Sequence, residues 1–343
     1  MRGVVKYARG DGFVELRDME DTPPGANQVK VEVKASGICG SDIHIYHDAI
    51  QIPIRPPVII GHEFSGVVVE KGVGVGNEIN VGDRVTGEPS IETCGRCRYC
   101  RSEYHNLCSD RKVLGYWYNG CFARYCNVTF VHKLPDNVSF EAGAMTEPIA
   151  CCVHGVIEQT GISAGDFVAI TGPGPVGLLA AQVALAEGGT VMVCGMSVDE
   201  HRLKLAEDLG VHHTLNIEQY DAMKRAKELT EGYGADVVVE CAGAPAAARL
   251  ALDLVLKRGK YTQMGLFGRF IEIDFEKIAF KEVQVTGSLS QRRPAWKRAL
   301  TLMGRGVVRT ERLISHRFPL SEWKKAFDLF ERKEGAKFIL IPE

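Results

Sequence analysis

The chain has 343 residues, 45% hydrophobic and 24% charged, with 37 glycines and a formal net charge of −2. That length suggests two domains, each large enough to bury its own core. The near-neutral charge and the lack of a basic stripe argue against a nucleic-acid partner, and no apolar run approaches the ~20 residues of a bilayer span.

The opening MRGVVKYARGDGF has no long apolar core and does not read as a secretory signal. These features point to the cytoplasm, where disulfides seldom persist. Eleven cysteines then call first for metal binding, since thiolates stay reduced and available there. The pair Arg292–Arg293 is too short for a nucleic-acid footprint and reads as a solvated turn.

Residues 1–150 hold short β-type runs between Gly, Pro and Asp turns: VKVEVKASGIC, PPVIIGHEFSGVVVE, VGDRVTG and ARYCNVTFVHKL. They predict a compact, mostly antiparallel, barrel-like domain, interrupted at 94–108 by a polar lobe dense in cysteine. From 151 to 288 buried-strand runs alternate with helical ones: FVAITG, VGLLAAQVALAEG, TVMVCG, DEHRLKLAEDLG, ADVVVECAG, AAARLALDLVL, GKYTQMG. That alternation predicts βαβ units in a doubly wound parallel sheet, making the fold class α/β with a β-rich first domain. Residues 289–343 carry WKRALTLMGRG, ISHRFPL, SEWKKAFDLFERK and AKFILI. Their last strand has no obvious partner nearby, so this segment is expected to return to the first domain.

Gly172-Pro-Gly174-Pro175-Val176-Gly177 follows the strand FVAIT and opens a helix. With strand before and helix after, a G-x-G-x-x-G points to a dinucleotide site. Gly172 allows the tight turn, Gly174 the approach of backbone to pyrophosphate, and Gly177 the packing of helix on strand. The helix that starts at Pro175 offers unpaired N–H groups, from Val176 onward, to phosphate. NAD sites usually end the second strand on an acid that holds the ribose 2′-hydroxyl. Here TVMVC ends on Gly195, and Ser197, His201 and Arg202 follow. Without the repelling carboxylate, Ser197 and Arg202 can hold a 2′-phosphate. The balance favours NADP over NAD, unless Asp199 folds back to the ribose.

Cys94, Cys97, Cys100 and Cys108 have the spacing C-x2-C-x2-C-x7-C. Four thiolates in a short polar segment suit a closed tetrahedral structural zinc. A more dispersed set comprises Cys39, His62, Glu63 and Glu147. One thiolate, one imidazole and carboxylates make a mixed set with room for water or substrate, as a catalytic zinc requires. Spacing alone leaves each of these residues an ordinary core or surface reading.

The motifs Gly-Ile-Cys39-Gly-Ser41-Asp42-Ile-His44, Gly61-His62-Glu63-Phe-Ser-Gly66, Val81-Gly-Asp-Arg-Val85, the four-cysteine lobe and the glycine-rich turn occur in that order. Together they resemble the zinc-containing medium-chain alcohol dehydrogenases over essentially the whole chain. The resemblance implies a GroES-like catalytic domain and a Rossmann domain inserted ahead of the C-terminal segment. His62-Glu63 and Glu147-Pro148 look most like the sorbitol (L-iditol) dehydrogenase branch. By that likeness Cys39 and His62 hold the catalytic zinc, and Glu63 and Glu147 share the carboxylate role. Asp42 orients the zinc histidine, Ser41 and His44 relay a proton, and Lys337 faces the cofactor phosphates. The branch's polyol-binding arginine is not clear; Ser290, with Arg292 nearby, stands in its region. The resemblance further implies two zinc ions per chain, a homodimer or homotetramer, and a polyol-like secondary alcohol as substrate.

His44-Ile-Tyr46 also resembles threonine 3-dehydrogenases, although their Trp- and acid-rich stretch just downstream is absent. Amino-alcohol oxidation is therefore the alternative activity. A non-catalytic zinc and dinucleotide binder of the same fold is the alternative from another class. It would be marked by loss of Cys39, His62 or the relay, and all are present.

Overall fold

Strict alternation in VKVEVKA puts Val29, Val31, Val33 and Ala35 on one buried face of the strand Val29–Gly37, as the twofold period of a strand requires. This is seen in the computed structural model, which describes residues 1–343. That strand is central to a seven-stranded sheet. In order run Val131–Lys133, Arg84–Gly87, Glu63–Lys71, Val29–Gly37, Lys337–Ile341 and Ile314–Pro319, with Tyr125–Val128 also pairing to Val29–Gly37. All neighbours are antiparallel except the last two strands, which run parallel. A second sheet joins Val14–Asp18, Arg2–Lys6 and Val58–Ile59.

The run PPVIIGHEFSGVVVE therefore serves two sheets. Val58–Ile59 pairs with the N-terminal strand, and Glu63–Lys71 with Val29–Gly37. The break falls at Gly61, whose φ of +90° is open to glycine and strained for other residues. A side chain there would also run into Phe122. The turn places His62 and Glu63 at the head of the strand.

The chain divides into two compact units. The first comprises Met1–Glu147, Arg292–Gly304 and Ile314–Glu343; the second comprises Pro148–Gln291 and Arg305–Leu313. The C-terminal segment is thus shared between them, its last strand lying beside Val29–Gly37 in the first.

The second unit is a six-stranded, wholly parallel sheet. Its order is His213–Asn216, Thr190–Gly195, Phe167–Thr171, Ala235–Glu240, Val255–Gln263, Gln284–Gly287. Every residue of FVAIT is buried, as expected for a central strand covered on both faces. The helices Pro175–Ala186, Glu200–Asp208, Ala222–Leu229 and Pro245–Leu254 form the crossovers. Strand order reverses between Phe167–Thr171 and Ala235–Glu240, the place where such sheets open a ligand crevice. The run AAARLALDLVL is not helical to its end. Helix Pro245–Leu254 stops, and Val255, opposite Ala235 in the neighbouring strand, begins the next strand at once. Burial of this β-branched residue against the sheet overrides its helical neighbourhood. No helix is long and apolar enough to cross a membrane.

Candidate metal centres and dinucleotide site

The lobe at 94–108 folds around its cysteines. The ligand atoms of Cys94, Cys97, Cys100 and Cys108 all lie within 4.8 Å of one another. Cys97 caps the short helix Arg98–Arg101, its Sγ accepting the Cys100 N–H at 3.4 Å. Cys94 Sγ accepts from Cys97 N–H at 3.3 Å, and Cys108 Sγ from Cys94 N–H at 3.4 Å. Such donors favour thiolate. The N–H groups of Arg96 and Cys97 draw the Cys94 thiol down to about 6. Burial, with the neighbouring thiols, pushes Cys100 up to about 12. Four sulfurs this close cannot all ionise without a cation among them, so the donor set fits a closed zinc site.

Arg292 braces this lobe: it lies over the Tyr104 ring at 4.2 Å and 3.7 Å from Glu103. It therefore stands with the lobe, and Ser290 falls in the other unit.

The mixed set is assembled by sheet pairing. The register sets Gly37 opposite Glu63, and two residues on, Cys39 begins the helix Gly40–Tyr46. Ligand atoms of Cys39, His62 and Glu63 lie within 4.8 Å of one another. Asp42 is fully buried; its Oδ2 accepts the Cys39 N–H at 2.9 Å, and its Oδ1 lies 3.6 Å from His62 Nδ1. This aims Nδ1 at a carboxylate and leaves Nε2 for a ligand, the usual arrangement for a metal histidine. Burial disfavours imidazolium at His62, yet Asp42 and Cys39 outweigh it and hold its pKa well above the ordinary value. A field that favours a bound proton there favours a bound cation too. Asp42 Oδ1 and His62 Nδ1 are buried without hydrogen-bond partners, and the donor set fits zinc.

Lys337 is placed differently from the expectation. It is 2% exposed, and its Nζ donates to the Glu63 carboxylate and, at 2.9 Å, to the Ile38 carbonyl. Burial lowers the pKa of the ammonium, but Glu63 and Cys39 more than offset that and raise it. The cause is topological. Strand Lys337–Ile341 pairs beside Val29–Gly37, and Gly37 has no side chain to separate Lys337 from Glu63. Lys337 thus joins the buried cluster of Cys39, His62 and Glu63 instead of facing a phosphate surface. Glu147, in the first turn of Thr146–Cys152, is buried but outside the cluster of Cys39, His62 and Glu63.

Ser41 and His44 lie one turn apart on helix Gly40–Tyr46. Burial, with His47 beside it, holds the His44 pKa below its ordinary value. Nothing in the sequence singles out His47. Its two ring nitrogens face Asp11 Oδ1 at 2.7 Å and Glu331 Oε1 at 2.6 Å. The protonated ring offers an N–H to each carboxylate, and Glu331 and Asp11 accordingly raise its pKa.

In the second unit Gly172 turns at φ +98° against Ala242. Gly174 caps helix Pro175–Ala186 with open space where a side chain would project, and a side chain at Gly177 would collide with the Gly172 carbonyl. Cys152 Sγ meets the Val176 carbonyl at 3.4 Å. Glu240, fully buried at the end of its strand, accepts N–H groups of Ala242 and Gly243 at 2.9 and 3.0 Å, fixing the loop on which Gly172 rests. Burial raises its pKa, against those bonds.

At Gly195 a side chain would press on Pro173. The sequence offers Arg202 to a phosphate and Asp199 to the ribose; the fold pairs them with each other. Arg202 Nη1 lies 3.1 Å from Asp199 Oδ1, with the residues 7% and 6% exposed, and Asp199 Oδ2 also accepts the Met196 N–H at 3.3 Å. Three residues apart across a turn, they meet before either can reach outward. The guanidinium is not presented to a 2′-phosphate.

Residues 25–136 match the family described as alcohol dehydrogenase GroES-like domain, and residues 175–305 match zinc-binding dehydrogenase. The chain belongs to the zinc-type medium-chain alcohol dehydrogenase family, with a GroES-like domain and a Rossmann-type sheet, and is an enzyme of the dehydrogenase class. It is 46% identical to a sorbitol dehydrogenase of Halalkalibacterium halodurans, over 100% of this chain and 99% of that one. It is 39% identical to a D-arabitol-phosphate dehydrogenase of Enterococcus avium, over 96% and 94%. A zinc-binding dehydrogenase of Sinorhizobium meliloti, solved bound to NADP, is 34% identical with a TM-score of 0.90 over 99% of each chain.

The placement of Lys337 makes a prediction. In the zinc-free protein Lys337→Met strands the Glu63 carboxylate, and removing one partner of a buried ion pair costs about 3–5 kcal/mol. Urea unfolding should show that loss, while fluorescence titration finds NADH affinity changed by no more than about twofold. Were Lys337 instead a partner of the cofactor phosphates, its removal would weaken NADH binding by about tenfold or more.

Proposed function

We propose that this chain oxidises a secondary hydroxyl of a small polyol to a ketone, reversibly, with zinc at Cys39, His62 and Glu63 and a nicotinamide dinucleotide at the 172–177 turn. The observation that carries the reading is the buried cluster of one thiolate, one imidazole and one carboxylate, with Asp42 behind the histidine. Its closeness to a sorbitol dehydrogenase and to an arabitol-phosphate dehydrogenase supports a polyol substrate.

When bound, zinc supplies Lewis acidity that makes a hydroxyl a stronger acid, and the nicotinamide supplies the hydride acceptor. The residues do the rest. Cys39, His62 and Glu63 would hold the metal, and Glu147 would supply a further carboxylate for it. Lys337 offsets the negative charge of the ligand set through Glu63. Ser41 accepts the substrate proton, and His44 passes it on to solvent. His44 suits this task because it is neutral at ordinary pH and can accept a proton. Cys94, Cys97, Cys100 and Cys108 hold a second, structural zinc.

The chain is further proposed to form a homodimer or homotetramer. Support comes from the open edge strand Gln284–Gly287, in which Val285 is exposed, and from the exposed Phe270, Phe275 and Phe280 in the chain leading to it. Exposed apolar groups beside an unpaired strand edge favour pairing with another chain. Light scattering should give a mass of two or four chains; a monomer at working concentration would refute this.

A panel of polyols, with L-threonine as the competing amino alcohol, tests the activity. Sorbitol- or iditol-like substrates should be turned over best, and Cys39→Ala should abolish most turnover while leaving NADH binding in place. Faster turnover of L-threonine would overturn the polyol assignment, and unimpaired Cys39→Ala the metal site.

The pH profile tests the relay. A lowered His44 pKa keeps its ring neutral further into acid, so the acid limb of kcat/KM should lie below the ordinary histidine value of 6.5. His44→Gln should remove that limb and slow turnover by about a hundredfold. A variant with an unchanged limb would exclude His44.

A further inference from the structure

Beside Gly195 the fold supplies an acid that the second strand itself lacks. Parallel register sets Gly195 opposite Asn216, the last residue of the edge strand His213–Asn216. Just beyond that strand the chain turns back at Glu218. Its N–H donates to Asn216 Oδ1 at 3.0 Å, and its Oε2 accepts the Ser197 N–H at 2.7 Å. Asn216 Nδ2 completes the corner by donating to Ser197 Oγ at 3.0 Å. A residue from the loop after the third strand is thereby held at the carboxyl end of the second.

We propose that Glu218 reads the ribose of the dinucleotide, accepting its 2′-hydroxyl and repelling a 2′-phosphate, so that the enzyme prefers NAD. The inference rests on the dinucleotide reading above and sharpens it.

Three observations lead there. In doubly wound sheets the ribose acid acts at the end of the second strand, past the glycine-rich turn. Gly195 has no side chain to supply it, and a Cβ there would press on Pro173. Asp199 cannot supply it either, being buried and committed to Arg202 and the Met196 N–H. Glu218 remains: it is exposed, and the Ser197 N–H holds its carboxylate through Oε2 at the end of the second strand. The Ser197 N–H and hydroxyl hold its carboxyl below the usual range, so it is ionised at neutral pH. An ionised carboxylate accepts a hydroxyl proton and opposes a phosphate dianion at the same place. The corner that would receive a 2′-phosphate at Ser197 is thus already taken by an anion of the chain itself.

The experiment is a fluorescence titration of the zinc-loaded protein with NADH and with NADPH, on wild type and on Glu218→Gln. Glutamine keeps an oxygen for the Ser197 N–H and removes only the charge. Wild type should bind NADH more tightly, and Glu218→Gln should move the ratio of affinities toward NADPH by about tenfold or more. Wild-type preference for NADPH would overturn the proposal. So would an unchanged ratio in a variant whose thermal melt matches wild type. If wild type binds neither nucleotide, the dinucleotide reading fails and this inference falls with it. Binding of both with an unmoved ratio sinks the assignment of Glu218 alone.

Discussion

The antiparallel register between Val29–Gly37 and Glu63–Lys71 is the constraint on which the cluster of Cys39, His62 and Glu63 depends. Gly37 sits opposite Glu63, so the end of one strand and the head of the other bring a thiol, an imidazole and a carboxylate together within a buried space. A slip of one residue would turn His62 and Glu63 to opposite faces. Burying such a group is costly unless charge is balanced. Lys337 contributes one positive charge from a third strand, and Asp42 steadies both the Cys39 backbone and the His62 ring. Glycine at position 37 is what lets these side chains approach.

The two cysteine-bearing centres are built in opposite ways. In the lobe, four cysteines lie within fifteen residues, and N–H···S bonds from adjacent backbone shape the loop around them. Local chain geometry suffices, so the spacing carries the message. The other centre draws on residues far apart in the chain and depends on the sheet being complete. Ser41 and His44 share a helix with Asp42, and His47 at the end of that helix ties it to Asp11 and Glu331. The clasp places a positive charge at a helix C-terminus, where the dipole favours it.

In the parallel sheet, backbone conformation does the corresponding work. Gly172 and Gly177 hold the first turn close to its helix, and the buried Glu240 carboxylate shapes the facing loop through backbone N–H groups. The turn and its neighbour are thereby ordered by the protein alone, which lowers the entropy lost when a ligand orders them.

Much of this was legible in the linear chain, because the signals were local. The alternation of VKVEVKA, the unbroken apolar strands FVAIT and TVMVC, the glycine-rich turn and the C-x2-C-x2-C-x7-C spacing each report on neighbours within a few residues, where dihedral preference and periodicity govern. The nearness of Cys39 to His62 and Glu63 was legible only through family resemblance, since spacing says nothing about which strands pair. Three features were decided by tertiary structure. Lys337 turned inward because its strand adds beside Gly37. Arg202 and Asp199 satisfied each other, since a buried guanidinium takes the nearest carboxylate. Glu218 reached the corner beside Gly195 from another strand. In each case the outcome depends on where a charged side chain finds its partner, and that is set by burial and strand order, which no local pattern of residues encodes.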